Sequence, residues 1–183
     1  TIASQIDISK ALAIGGWMDE KELIWLAESA SVMDEIVEFG CYHGRSTRVL
    51  GDHIKGTVYA VDPWNPVYKT DERLTVADVD AYVMPRFKAN VKDLIDSGRV
   101  KVCRGFSYNF TLDHQVDMVF IDGDHRLETV KKDIEVAEKL VKPGGIIAGH
   151  DYAHPIWPGV KTVVDSKFSV VYTIGSIWWT PKF

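Results

Sequence analysis

Short apolar runs that stop at a glycine, a proline or an acidic residue alternate along this chain with stretches of helical periodicity. That alternation constrains the fold more than any other feature. Glu35–Phe39 is one such run and ends at Gly40. Thr57–Asp62 stops at Pro63, Arg99–Cys103 follows Gly98, and Val116–Asp122 and Ile146–His150 complete the series. Between them the spacing predicts helices over Ser46–Ile54, closed by Gly56, over Asp78–Ser97, with Pro85 as a kink near its start, and over Leu127–Val141. In the last of these Val130, Ile134, Ala137 and Val141 share one face. A helical stretch to about Met33, with Asp19 as a cap, precedes the first strand. Pro143-Gly144-Gly145 reads as a tight turn. After a further helix over Lys161–Lys167, Val170–Ile174 and Ile177–Thr180 read as a hairpin around Gly175-Ser176. Strands that alternate with helices build parallel βαβ units, and the almost wholly apolar fourth strand suits a sheet covered on both faces. The expected fold is therefore α/β, a mostly parallel sheet with a closing antiparallel hairpin.

With 183 residues, 46% of them hydrophobic, the chain is sized for one domain, 1–183, with residues 1–33 as a helical segment packed on it. The net charge of -5 lacks the basic footprint of a nucleic-acid binder, and Lys131-Lys132 is the one adjacent basic pair. No apolar run approaches a membrane span. The first residues lack the blocks of a signal peptide, and the absent initiator Met points to trimming. Two widely spaced cysteines, Cys41 and Cys103, form neither a disulfide framework nor a zinc pattern and fit the reducing cytoplasm.

In an open α/β sheet, ligands bind beyond the carboxyl ends of the strands. The first strand ends in Glu38-Phe39-Gly40-Cys41-Tyr42-His43-Gly44-Arg45-Ser46. Gly40 and Gly44 allow a sharp turn close to a ligand. Ser46 can cap the next helix, whose free amides attract a carboxylate or phosphate. The spacing is G-x-x-x-G and not the G-x-G-x-x-G of dinucleotide binders. Asp62, about 20 residues on, can accept hydrogen bonds from ribose hydroxyls or cap the Pro63 turn. Trp64 can stack on a base or fill the core. The fourth strand ends in Asp122-Gly123-Asp124-His125 and the fifth in His150-Asp151-Tyr152. These two clusters should converge. Together they can hold a divalent cation, act as a general base, or serve as ordinary solvated loop residues.

Four segments, VEFGCYHGRST, VYAVDPW, VDMVFIDGDHRLETVKKDI and LVKPGGIIAGHDY, span Val37 to Tyr152 in order. In these the chain resembles the class I S-adenosylmethionine (SAM)-dependent methyltransferases, in particular the small group with "DG-x-H" and "HDY" strand ends. The resemblance implies a Rossmann-like sandwich with a seven-stranded sheet, helices on both faces, and SAM as cofactor. It places Glu38, Gly40 and Gly44, with Tyr42 and Ser46 on the same loop, at the methionine end of SAM. It places Asp62, with Trp64 beside it, at the ribose; Gly105, Phe106 and Ser107 at the adenine; and Asp122 beside the sulfonium. In metal-dependent relatives acidic residues at these strand ends hold Mg2+. The matching positions are Asp122, His150 and Asp151, with an imidazole where those relatives often carry Asp.

Methyl transfer to a hydroxyl also needs removal of a proton. His125 and His150, oriented by Asp122 and Asp151, are the expected catalytic bases. Acceptor contacts are expected from residues Pro63 to Val83 and Tyr152 to Gly159. With so little chain to spare, the acceptor is a small molecule or a second copy in a homo-oligomer closes the site. Of the adjacent Trp178 and Trp179, a strand points one to the core and the other to an interface. Two other functions fit a similar fold, a non-catalytic SAM-binding module and a nucleotide-dependent oxidoreductase. The missing G-x-G-x-x-G argues against the second.

Overall fold

The computed structural model describes residues 6–64 and 82–183. The helical stretch expected to about Met33 holds two helices, α1 (Ser9–Leu12) and α2 (Glu20–Ala30), separated by a segment that contains Gly15-Gly16. Asp19 does cap α2. Its carboxylate accepts from the Glu22 amide at 3.0 Å while Glu22 accepts from the Asp19 amide at 2.9 Å, a reciprocal capping box. There follow β1 (Glu35–Phe39), α3 (Arg45–His53), β2 (Thr57–Asp62), α4 (Met84–Asn90), α5 (Lys92–Asp96) and β3 (Val100–Arg104). Then come β4 (Val116–Ile121), α6 (Leu127–Leu140), β5 (Val141–Gly149), α7 (Pro158–Lys167), β6 (Tyr172–Ile174) and β7 (Ile177–Pro181).

Among the described residues the strands form one seven-stranded sheet in the order β3-β2-β1-β4-β5-β7-β6. The first five are parallel, and β7 pairs antiparallel with both β5 and β6. The expected architecture is therefore present. Strand alternation feeds two cores. Ile36, Val58, Met118 and Phe120 point to the face covered by α2 and α3. Val37, Val61, Val119 and Ile121 point to the face covered by α6 and α7.

Two local expectations change. Pro85 does not kink a helix but stands in the first turn of α4, where its missing N–H costs nothing. The break falls at Val91 (φ -122, ψ 20), and residues 78–81 of the predicted helix lie outside the described residues. Pro143-Gly144-Gly145 is not a free turn but part of a bulge within β5. Val116 pairs with Val141 and Met118 with Ile146, so Asp117 alone faces the four residues from Lys142 to Gly145. The strand does point the two tryptophans to opposite faces. Trp178 is 1% exposed in the α6/α7 core, and its indole lies so close over Gly149 that a Cβ there would meet Nε1 at 2.6 Å. Trp179 turns to the other face and packs at a tilt on Trp25 of α2, ring centroids 4.8 Å apart.

Trp178 is a large, fully buried side chain at the junction of the parallel sheet and the hairpin. Trp178→Ala should lower unfolding free energy by about 3–5 kcal/mol, read from urea denaturation. A loss below about 1 kcal/mol would show that the hairpin does not depend on this contact.

Candidate active site

Three loops, at the carboxyl ends of β1, β2 and β5, carry the positive-φ residues that mark the site. Gly40 (φ 87) and Tyr42 (φ 47) follow β1, Trp64 (φ 42) follows β2, and Asp151 (φ 61) and Ala153 (φ 60) follow β5. Non-glycine residues in this region are uncommon and need surrounding structure to hold them there. At Gly40 a Cβ would fall 2.2 Å from the Asp122 carbonyl oxygen, so the β1 turn lies directly against the end of β4 and admits only glycine.

The buried carboxyl of Glu38 anchors the loop from below. It points to the α3 face, where it accepts hydrogen bonds from the hydroxyls of Ser46 and Thr47, the latter at 2.5 Å. Ser46 therefore does not cap α3. The helix starts behind Gly44 in the left-handed conformation (φ 90), with no side-chain cap, and the Ser46 hydroxyl is spent on Glu38. Burial pushes the Glu38 carboxyl up to about 7 despite those hydroxyls.

Asp62 fastens the loop from the side. Its Oδ2 accepts from the amides of Cys41 (2.8 Å) and Tyr42 (3.2 Å), and its Oδ1 from the amide of Trp64 (2.6 Å). The capping of the Pro63 turn considered above is thus present. Trp64 takes the core reading. It is 3% exposed, lies 4.8 Å from the Phe87 ring and donates its indole N–H to the Tyr42 carbonyl at 3.3 Å. The outward aromatic here is Tyr42, stacked on His43 and 5.1 Å from the exposed Trp17. Gly105, Phe106 and Ser107 lead into a 3-10 turn after β3, where Phe106 stacks on Tyr108. The Ser107 hydroxyl donates to Asp133 of α6.

At the far side the β4 and β5 clusters do converge, with a different division of roles. Asp122, His125 and Asp151 each offer one ligand atom, and these lie within 4.8 Å of one another. His125 Nε2 faces Asp151 Oδ2 at 3.2 Å, and Trp157 packs on the ring with centroids 5.1 Å apart. Burial lowers the His125 pKa below that of free histidine, which leaves a neutral imidazole at pH 7. His150, the other expected base and metal ligand, is the opposite case and is not among the three residues whose ligand atoms meet. It is 6% exposed, with Nε2 3.1 Å from Glu22, and Nδ1 3.4 Å from Asp151 and 3.8 Å from Asp122. Burial pushes it down, but hydrogen bonds to Asp151 and Glu22 and the charge of Asp122 outweigh burial and raise it to about 10. A protonated imidazole has no lone pair for a proton or a metal. Burial raises the Asp122 carboxyl well above the usual carboxylate range. Asp124 stands apart, accepting from the Arg126 amide and the Thr129 hydroxyl at the start of α6.

Sequence reading missed three residues. Glu22, in the first turn of α2, accepts from the Ser176 amide (2.7 Å) and from His150, so it ties α2 to the hairpin and to β5. Arg45 donates to the carbonyls of Ile14 (2.7 Å) and Met18 (2.8 Å), which holds the segment between α1 and α2 against the loop. Asp133 was visible as a charge on the apolar stripe of its helix. Of the expected acceptor segments, Tyr152 to Gly159 leaves β5 beside Asp151, while residues 65–81 of the other lie outside the described residues.

Ionisation of Glu38 opposes folding. Its folded value, about 7, lies above the ordinary 4.5, so its contribution is complete below pH 4.5 and is lost as pH rises through 7. Between pH 5 and 8 wild-type unfolding free energy should fall by about 2–3 kcal/mol more than that of Glu38→Gln, which stays neutral. Parallel urea-denaturation curves for the two proteins across that range would contradict this.

Residues 37–152 match the family model for a methyltransferase domain, well over half of the chain. An uncharacterized protein of Acanthamoeba polyphaga mimivirus is 33% identical over 89 residues, which cover 42% of this chain. The chain spans only 40% of that curated relative's length. Among solved structures, the SAM-dependent O-methyltransferase of Thermotoga maritima superposes with a TM-score of 0.67 at 14% identity, over 96% of this chain and 70% of that one. The O-methyltransferase of Bacillus cereus, solved with S-adenosylhomocysteine (SAH), gives 0.66 at 19% identity, over 99% and 94%. The strand-end loops up to Tyr152 fall within the matched residues, and this chain belongs to the methyltransferase domain family, with the fold of the SAM-dependent O-methyltransferases it superposes on.

Proposed function

We propose that this chain moves the methyl group of SAM to an oxygen of a small-molecule acceptor. The observation that carries the reading is the convergence of Asp122, His125 and Asp151 beside the Gly40 turn. In this reading Glu38, Gly40, Tyr42, Gly44 and Ser46 shape the turn and the first amides of α3 around the methionine end of SAM. Asp62 faces the ribose, and Gly105, Phe106 and Ser107 flank the adenine. Asp122 lies beside the sulfonium, whose positive charge favours the ionised form of its buried carboxyl.

His125 is the base. Its Nε2 is turned to Asp151, so the Nε2 proton is held there and the lone pair of Nδ1 is free to take the acceptor hydroxyl's proton. As the acceptor oxygen bonds to the methyl carbon, the carbon–sulfur bond breaks and SAH leaves. Alignment of the two reactants supplies most of the remaining acceleration. His150, paired with Glu22, Asp122 and Asp151, neutralises part of the negative charge around the reacting groups.

The donor set also fits a divalent cation, since two carboxylates and one imidazole meet within 4.8 Å. A mixed nitrogen and oxygen set suits manganese, iron or zinc better than magnesium. Asp122, His125 and Asp151 would hold such an ion, which supplies polarisation of the acceptor oxygen when bound.

Calorimetry should show SAH binding in the micromolar range, and His125→Asn should leave that affinity within about threefold while lowering turnover about 10²–10⁴-fold with a hydroxyl acceptor. Binding of NADH in place of SAH would overturn the assignment, and SAH binding without turnover on any acceptor would leave a SAM-binding module. Treatment with EDTA separates the two uses of His125. Unchanged turnover leaves it as the base. Loss of turnover with recovery on added Mn2+ makes it an ion ligand with Asp122 and Asp151.

A further inference from the structure

Asp133 is the charged residue on the buried stripe of α6, and it is 1% exposed. Its Oδ1 accepts the hydrogen bond from the Ser107 hydroxyl in the turn after β3. Its Oδ2 has no hydrogen-bond partner among the described residues. That oxygen faces the turn after β4 across the space where Gly123 has no side chain: a Cβ built there would sit 3.9 Å from it and 3.8 Å from the Phe39 carbonyl oxygen. A buried acceptor left unpaired is costly, and an apolar side chain of similar volume would pack α6 onto the sheet without that cost. The carboxyl group therefore stands where packing alone does not call for it, with one oxygen on each of two loops that leave strand ends on the ligand side.

We propose that Asp133 is a positioning residue for the nucleoside end of the cofactor: by holding Ser107 on one oxygen and facing the Gly123 turn with the other, it sets the gap between the loops after β3 and β4. The inference rests on the SAM-binding reading above. Fixing the two walls before the ligand arrives removes the cost of ordering them on binding. The residue acts through Ser107 and the Gly123 backbone and needs no contact with the adenine itself. Burial raises the carboxyl to about 7 against the lowering effect of the Ser107 hydroxyl, so the neutral amide of Asn is a close mimic.

The test compares Asp133→Leu and Asp133→Asn with the wild-type chain. Dissociation constants are measured for SAH by calorimetry and for adenosine by competition with SAH. Asp133→Leu should weaken both ligands by a similar factor of about ten, whereas Asp133→Asn stays within about threefold of wild type. A fall in melting temperature with both constants unchanged would show a packing role only and overturn the proposal. So would a loss confined to SAH with adenosine unaffected, since the effect would then lie at the methionine end. Should Asp133→Leu not fold, Ser107→Ala removes the other half of the bond from a half-buried position. It should weaken both ligands at least about threefold, and unchanged constants would again overturn the proposal. A wild-type chain that binds no SAH overturns the cofactor reading itself, and this inference falls with it.

Discussion

The geometry of the site depends on one steric constraint, the contact between the Gly40 turn and the carbonyl of Asp122. No side chain fits between them, because a Cβ on residue 40 would penetrate the β4 backbone. The closeness places the cofactor loop and the residue beside the expected sulfonium within one small space. The Asp62 carboxylate then holds the amides of Cys41 and Tyr42. Glu38 secures the first turn of α3 through two hydroxyls. Glycine permits the approach, and the two carboxyl groups make it a single conformation.

The site is built largely from acidic side chains, and the structure handles each differently. Glu38 is buried among hydroxyls and raised toward neutrality. Asp62 spends its lone pairs on backbone amides. Glu22, Asp122 and Asp151 surround one imidazolium, His150. The division of labour between the two histidines follows from their neighbours alone. His150 meets carboxylates on both ring nitrogens, while His125 meets Asp151 on one and the Trp157 ring across its face. One is held charged and the other is left neutral.

Most of the sheet was legible because buried strands are short apolar runs, and their ends carry the residues that stop them. The hairpin was legible from Gly175-Ser176. The details that shifted lie where local signals have two outcomes. A proline inside a helical pattern can kink a helix or begin one, and the missing N–H of Pro85 is tolerated in the first turn of α4. The Pro-Gly-Gly segment can turn or bulge, and β4 decides by continuing to pair beyond it. Ser46 has the chemistry of a helix cap, but an acidic partner eight residues earlier takes its hydroxyl.

The order of strands and helices, the two glycines of the loop after β1, the acidic residue that ends β2 and the two strand-end clusters can all be read from the sequence. Each of these is written in local patterns of hydrophobicity and backbone freedom. Only the tertiary structure decided which histidine is charged, which residues complete the possible donor set, and that Glu22 and Asp133 reach into loops far from them in the chain. Those outcomes depend on burial and on which carboxyl group lies within about 3 Å of which nitrogen or hydroxyl. The distances between loops at strand ends exist only once the sheet has assembled.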